Sequence, residues 1–270
     1  MSTAVREPAV AGYFYPGRAE TLLRDVRSYI GSPSGKLRAV GCVAPHAGYM
    51  YSGHVAGAVY ARLELPRRFL ILCPNHTGAG EPLAIMSRGA WRTPLGDVRI
   101  DEPLAAQLLA RCDLLSDDAL AHRSEHALEV QLPFLQALRT DFVFVPIAIG
   151  VGSFQPLAEL GDAIAEVIAA HSEPVLIIAS SDMNHYESDA VTRVKDAKAI
   201  EPMLAVDARR LYDVVRNEQI SMCGFGPAVT MLTAAKRLGA TQAELVKYAT
   251  SGDVSGDRAR VVGYAGIVVH

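Results

Sequence analysis

The stretch FLILCPNHTGAG, residues 69–80, begins as a run that is apolar on both faces and ends on an imidazole. A strand apolar on both faces suits a parallel sheet covered by helices. Two further stretches repeat the arrangement: LRAVGCVA (37–44) runs into APHAGYMYSGH, and PVLIIAS (174–180) runs into SDMNHYES. Amphipathic helix patterns lie between and beyond them, over 20–30, 54–63, 103–111, 124–138, 156–170, 190–200, 208–218 and 226–238. This alternation predicts an α/β fold with a doubly wound, mostly parallel sheet flanked by helices and joined by right-handed crossovers. A fourth run, DFVFVPIAI (141–149), carries Pro146 and is expected near an edge or on a bulge. AELVKYAT and ARVVGYAGIVV flank the Gly-rich TSGDVSGDRAR turn and read as an antiparallel pair. MSRGAWRTPLGDVRID has the turn residues of a hairpin and predicts a small β excursion.

With 270 residues, 50% hydrophobic and 20% charged, the chain can bury a sizeable core, and one domain over 1–270 is expected. GSPSGK, 31–36, reads as a short turn and not as a boundary. A net charge of −3 builds no basic stripe, so no nucleic-acid partner is expected. No basic segment precedes an apolar one at the N-terminus, and no apolar run reaches the roughly 18 residues of a spanning helix. The expectation is a soluble cytoplasmic protein without a membrane partner. Cys42, Cys73, Cys112 and Cys223 are far apart and form no CxxC pair, which predicts reduced thiols. Neither GxxxxGK[ST] nor GxGxxG occurs, which disfavours a phosphate cradle.

Ligands of open α/β sheets bind beyond the carboxyl ends of the strands. His46, His76 and His185 each follow a core strand by a few residues. If the first and second of these strands lie side by side, their imidazoles aim into one hollow. Pro45 and Pro74 stiffen the approach to His46 and His76. Cys223 precedes a Gly-Pro that opens a helix, where the dipole and free N–H groups favour a thiolate that serves as ligand or nucleophile. Two imidazoles and one anionic side chain would make a three-point site with open positions. The third ligand is either Cys223 or Asp182, and a thiolate would select iron or copper over magnesium. Asp182 and His185, three apart, suggest an acid/base imidazole with a carboxylate orienting it.

In AHRSEHALEVQLPFL, Ser124 reads as a helix cap and Glu125 as a charge favouring the helix dipole, with outer or structural duties for His122, His126 and Glu129. Cys42 and Cys73 read as core. Three functions compete. The first is a metal-dependent redox protein acting on an unknown small-molecule substrate. The second is a cleft for a peptide or protein, rimmed by Tyr49, Tyr51, Tyr186 and Phe225. The third is a thiol hydrolase with Cys223 as nucleophile and His185 as base.

REPAVAGYFYPG, APHAGYMYSGHVAGAVY, CPNHTG, TPLGDVRID, EHALEVQLPFLQ, SSDMNHY and CGFGPAV, in this order over nearly the whole chain, together resemble the Memo-like family. That family includes a eukaryotic mediator of cell motility and bacterial and archaeal relatives. The resemblance implies a fold similar to the LigB-like class III extradiol dioxygenases, which are nonhaem iron enzymes. It also implies a metal site of His46, His76 and Cys223, with Asp182 and His185 adjacent and Fe(II) or copper as the ion. The dioxygenases use a carboxylate where this sequence places a thiolate, so their ring-opening activity is not implied. Prokaryotic members are associated with a radical S-adenosylmethionine protein and an AMMECR-like protein (the AmmeMemoRadiSam grouping), which implies those two as partners.

Overall fold

The runs that are apolar throughout in the sequence become strands buried on both sides, because successive side chains enter different cores. Phe69, Ile71 and Cys73 pack into one hydrophobic cluster, and Leu70 and Leu72 into another. The computed structural model describes residues 4–32 and 35–270, so the turn expected at 31–36 lies partly outside the described residues. Its strands are β1 (Val5–Arg6), β2 (Gly41–Ala44), β3 (Arg68–Pro74), β4 (Leu83–Ile85), β5 (Ala90–Thr93), β6 (Gly96–Arg99), β7 (Ser116–Asp117), β8 (Val143–Ile149), β9 (Val175–Ser180), β10 (His185–Glu187), β11 (Ala243–Thr250) and β12 (Val261–Val269). The helices are α1 (Ala19–Ile30), α2 (Tyr49–Arg62), α3 (Glu102–Arg111), α4 (Leu132–Leu138), α5 (Phe154–Ala169), α6 (Asp189–Leu204), α7 (Ala208–Asn217), α8 (Phe225–Arg237) and the single turn α9 (Gly252–Ser255).

The main sheet runs β10-β12-β2-β9-β3-β8-β4-β7, with β11 paired to β12. Its centre, β2-β9-β3-β8, is parallel. β12 joins β2 antiparallel on one side and β4 joins β8 antiparallel on the other. The architecture is therefore α/β with a mixed sheet. On one face α5 and α8 bury Leu157, Leu160 and Met231 against Leu70, Leu72 and Ile177. On the other face α1, α2 and α4 bury Leu22, Tyr60 and Phe134 against Phe69, Ile71 and Ile178. Complete burial of such a side chain contributes about 1.5–3 kcal/mol, so these two faces hold the sheet between its helical layers.

Three expectations need correction. The first and second core strands are not neighbours, because β9 lies between β2 and β3. Apolarity on both faces marks a central strand but carries no information about which strand sits beside it. Residues 124–138 are not one helix: 123–128 have no regular structure, a 3-10 turn covers Glu129–Gln131, and α4 begins at Leu132. β8 is an interior strand despite Pro146. The Pro146 carbonyl accepts from Met86 N just beyond the last β4 pairing, at Ile85–Ile147, so the missing N–H faces the side where β4 has ended. The hairpin β5-β6 forms as expected and takes up β1 as a third strand.

Candidate metal centre

The carboxyl ends of the central strands are level. Ala44 of β2 stands opposite Ser180 of β9, and Leu72 of β3 opposite Ala179. The residues that follow, Pro45-His46, Ser181-Asp182 and Asn75-His76, therefore emerge at one rim. Although β9 separates β2 from β3, its own terminus fills the gap, and the His46 and His76 rings sit 5.2 Å apart, edge to face. Cys223 reaches this rim from the loop before α8. Its Sγ lies 3.2 Å from His46 Nε2, and the candidate donor atoms of His46, His76 and Cys223 all lie within 4.8 Å of one another.

Gly224 makes the approach of Cys223 achievable. A Cβ at position 224 would stand 2.3 Å from the Ser180 carbonyl oxygen and 2.4 Å from Ser181 Cβ. With no side chain there, Gly224 N–H donates to Ser181 Oγ at 3.1 Å and the loop lies against the end of β9.

Hydrogen bonds decide which nitrogen each imidazole presents. The Ser180 hydroxyl donates to the Ala127 carbonyl, which can only accept. Ser180 Oγ must then accept from its other partners, the Gln131 amide at 2.8 Å and His46 Nδ1 at 3.0 Å. His46 is thus protonated on Nδ1 and turns a lone pair at Nε2 toward Cys223. His76 donates Nδ1–H to Glu125 Oε1 at 2.9 Å and its backbone N–H to Oε2 at 2.6 Å, which makes Nε2 the lone-pair nitrogen of its neutral form. His185 donates Nδ1–H to the Ser221 carbonyl at 2.8 Å, which likewise frees Nε2. A carboxylate or carbonyl behind the imidazole is the usual outer support of a metal-binding histidine.

Protonation follows burial and charge. Burial, then the neighbouring His126 and His76, hold the His46 pKa well below its ordinary value, so it is neutral. Burial works against charge on His76, but its hydrogen bond to Glu125 and the charge of that carboxylate outweigh burial and raise its pKa. Burial also works against a charge on Glu125, yet His76 and the Ala127 N–H bring it down to about 2. Burial first and Asp182 second push the Cys223 thiol well up. A thiolate at that position therefore needs a cation beside it. Asp182, raised by burial, accepts the N–H groups of His46 and Ala47 through Oδ1 at 2.8 and 3.3 Å, and its Oδ2 is 4.0 Å from His46 Nε2.

His76, Glu125 and His126 form a second convergent trio. Glu125 Oε2 takes the His76 N–H, and Oε1 takes both the Ala127 N–H and His76 Nδ1–H, so its acceptor capacity serves to orient the loop and the ring. His126 stacks on His76 with centroids 4.8 Å apart and lies edge-on to His46 at 5.5 Å.

His46, His76, His126, Asp182, His185 and Cys223 line a cleft of about 500 Å³ whose apolar walls are Phe14, Ala47, Tyr186 and Val262. Tyr186, at the mouth, holds φ at 61°, a left-handed conformation that costs a non-glycine residue roughly 1–3 kcal/mol. Of the four aromatic residues expected at the rim, only Tyr186 lines this cleft. Tyr49 is buried with its hydroxyl on the Val130 carbonyl, Tyr51 packs beside Val55 and Tyr264, and Phe225 lines a neighbouring hollow. His122 is internal, donating Nε2–H to the Ala84 carbonyl, and burial lowers its pKa to about 4. Cys42 and Cys73 are core, as expected, and all four cysteines are free thiols.

Sequence reasoning missed Ser180, Ser221, Glu125 and Phe14. In the sequence Glu125 reads as a charge at a helix start, and the structure has no helix at that position. The available signal was its adjacency to His126, because a Glu-His pair beside a strand-end histidine supplies both a carboxylate and a further ring.

The family model described as Memo-like protein matches residues 6–268. A MEMO1 family protein of Methanopyrus kandleri is 44% identical over 277 residues, covering 97% of this chain and 98% of its own. One of Methanosarcina mazei is 44% identical over 267 residues, covering 98% and 99%. One of Pyrobaculum aerophilum is 43% identical over 278 residues, covering 98% and 99%.

Proposed function

The chain belongs to the Memo-like family, and from that premise we propose that it is a metal-binding redox protein. Its ion is Fe(II), with copper as the second choice, held by His46, His76 and Cys223. The observation that carries this reading is that three donor atoms lie within 4.8 Å of one another while the far nitrogen of each imidazole is tied to a protein acceptor. Two imidazoles and one thiolate suit a soft or borderline first-row ion and leave coordination positions open. When bound, the ion would supply electron transfer and polarisation for a small organic substrate.

The chain's own groups do the rest. Ser180 and Glu125 hold the Nδ1–H groups of His46 and His76 and so turn Nε2 of each ring toward the cleft. Asp182 holds the loop that carries His46. His185, with Nε2 available at the cleft, accepts or returns a proton. Phe14 and Val262 give the cleft an apolar wall. The reading includes a single domain over 1–270, a cytoplasmic setting, kinship in fold with the LigB-like dioxygenases, and work alongside a radical S-adenosylmethionine protein and an AMMECR-like protein. A thiolate in place of the dioxygenase carboxylate argues against inherited ring opening, because a thiolate near dioxygen is itself oxidised.

The test is elemental analysis of protein purified without oxygen. Wild type should carry about one ion per chain, and His46→Ala and Cys223→Ala should each lose it. Unchanged stoichiometric metal in both variants refutes the assignment. The rival reading, a thiol hydrolase with Cys223 as nucleophile and His185 as base, meets a different imidazole at the sulfur: Cys223 Sγ contacts His46 Nε2 at 3.2 Å, and His185 Nδ1 is bonded to the Ser221 carbonyl. Burial keeps Cys223 and His46 neutral, which disfavours an imidazolium–thiolate pair. Iodoacetamide discriminates: a metal-covered thiolate reacts only after chelation, and a catalytic nucleophile reacts at once.

A further inference from the structure

Residues 123–128 leave the helical path, and that departure is what lets Glu125 and His126 face His76. In a helix, the carbonyls of His122 and Glu125 would accept N–H groups four residues on. Here both carbonyls are taken by one side chain from the far end of the chain. Arg6, 6% exposed, donates Nε–H to the His122 carbonyl at 3.0 Å and Nη2–H to the Glu125 carbonyl at 2.6 Å, and its Nη1 pairs with buried Glu129. Its guanidinium lies over Trp91, 4.2 Å from the ring centroid. Glu129 also accepts the N–H groups of Ala9 and Val10 at 2.7 and 3.1 Å and the Tyr15 hydroxyl. The segment bolted down in this way presents Phe14, whose ring packs 4.7 Å from that of His126 at the cleft wall.

We infer that Arg6 is a positioning residue for the metal centre: it replaces the missing helix bonds of 122–125 and so fixes the carboxylate that orients His76. The inference rests on the metal reading above and touches no proposed ligand directly. A planar guanidinium serving three acceptors is not matched by lysine, so the same geometry predicts that Arg6→Lys does not restore function.

The experiment compares Arg6→Met, which keeps most of the stem volume, with Arg68→Met. Arg68 pairs with buried Asp101 at the other end of β3 and serves as a control for the loss of an ion pair away from the rim. Binding of Co(II) is followed through its visible absorption. Arg6→Met should weaken Co(II) binding by roughly 10–100-fold and alter the bands, as loss of outer support does. Arg68→Met should lower Tm with affinity and spectrum as in wild type. In metal-free protein, the His76 Nδ1–H proton, assigned by its loss in His76→Gln, should broaden or vanish from the ¹H NMR spectrum in Arg6→Met but not in Arg68→Met. Wild-type Co(II) affinity together with an intact His76 proton in Arg6→Met overturns the inference. If wild type binds no Co(II), the metal reading falls and the His76 proton alone decides the role of Arg6. Should Arg6→Met fail to fold, Tyr15→Phe, which removes one bond from the same brace, must show the smaller shift in the same direction, and its absence overturns the inference equally.

Discussion

Cys223 Sγ rests 3.2 Å from His46 Nε2, two atoms joined across 177 positions of the chain. Neither is free to drift. His46 is fixed through Ser180 and through its backbone N–H on Asp182, and Cys223 through the packing of Gly224 against the end of β9. The two side chains thus have separate supports, and disruption can be read separately at each.

Gly224→Ala tests the sulfur side. The added methyl would stand 2.3 Å from the Ser180 carbonyl oxygen, and backbone cannot yield as a side-chain tip can. The loop must move away and take Cys223 with it. A loss of about 1–3 kcal/mol in urea denaturation, together with loss of bound metal in elemental analysis, is expected. Retention of full metal content would show that Cys223 is not held by this contact.

Ser180→Ala tests the nitrogen side. Without Oγ, His46 Nδ1–H loses its acceptor and the Ala127 carbonyl loses its donor. The ring can then place its proton on Nε2, where it opposes a ligand bond. Metal affinity should fall roughly 10–100-fold, and stability by about 1–3 kcal/mol for the buried groups left unpaired. Competition with a chelator measures the first quantity and thermal unfolding of metal-free protein the second.

Metal uptake should release protons. Burial and Asp182 keep the Cys223 thiol protonated at neutral pH, whereas His46 is already neutral. Binding therefore displaces the thiol proton, and the logarithm of affinity should rise by about one per pH unit. Because Glu125 raises the His76 pKa, a second proton must leave at lower pH, and the slope should steepen there toward about two. Affinity titrations from mildly acidic to mildly alkaline buffer check the sign. A flat profile would exclude a thiolate ligand.

The strand-end histidines were legible because a parallel sheet puts its chemistry beyond the carboxyl ends of its strands, and the apolar runs before His46, His76 and His185 are unmistakable. The order of those strands was not legible. Leu70 and Leu72 read the same whether β2 or β9 lies beside them, since pairing is decided by packing over the whole sheet. Glu125 and Glu129 were hidden for a different reason. The spacing of Leu128, Leu132 and Leu135 matches a helix, and only the tertiary demands of His76 and Arg6 pull residues 123–128 out of it. Arg6 itself carried no local signal, because its three acceptors are more than a hundred residues away.

Asp196 should make the protein less stable as pH rises through the mildly acidic range. It is buried beneath the main sheet's edge, accepting the Asn184 N–H at 2.9 Å and the Tyr248 hydroxyl at 2.7 Å, and burial raises its pKa from 3.8 to about 6. Below pH 4 both the folded and the unfolded chain hold the proton, and the group is neutral in its effect. Between about 4 and 6 the unfolded chain releases it while the folded chain keeps it, so unfolding is favoured progressively, by about 3 kcal/mol in all. Above 6 the cost is constant. Asp196→Asn removes the charge and can still accept from Asn184, while the Tyr248 hydroxyl rotates to accept from the new amide. The variant should therefore gain stability over wild type at pH 8 and lose that advantage at pH 4, as read by urea denaturation at the two pH values. An advantage that is equal at both, or a loss at pH 8, would mean that the buried carboxyl is not the source of the pH dependence.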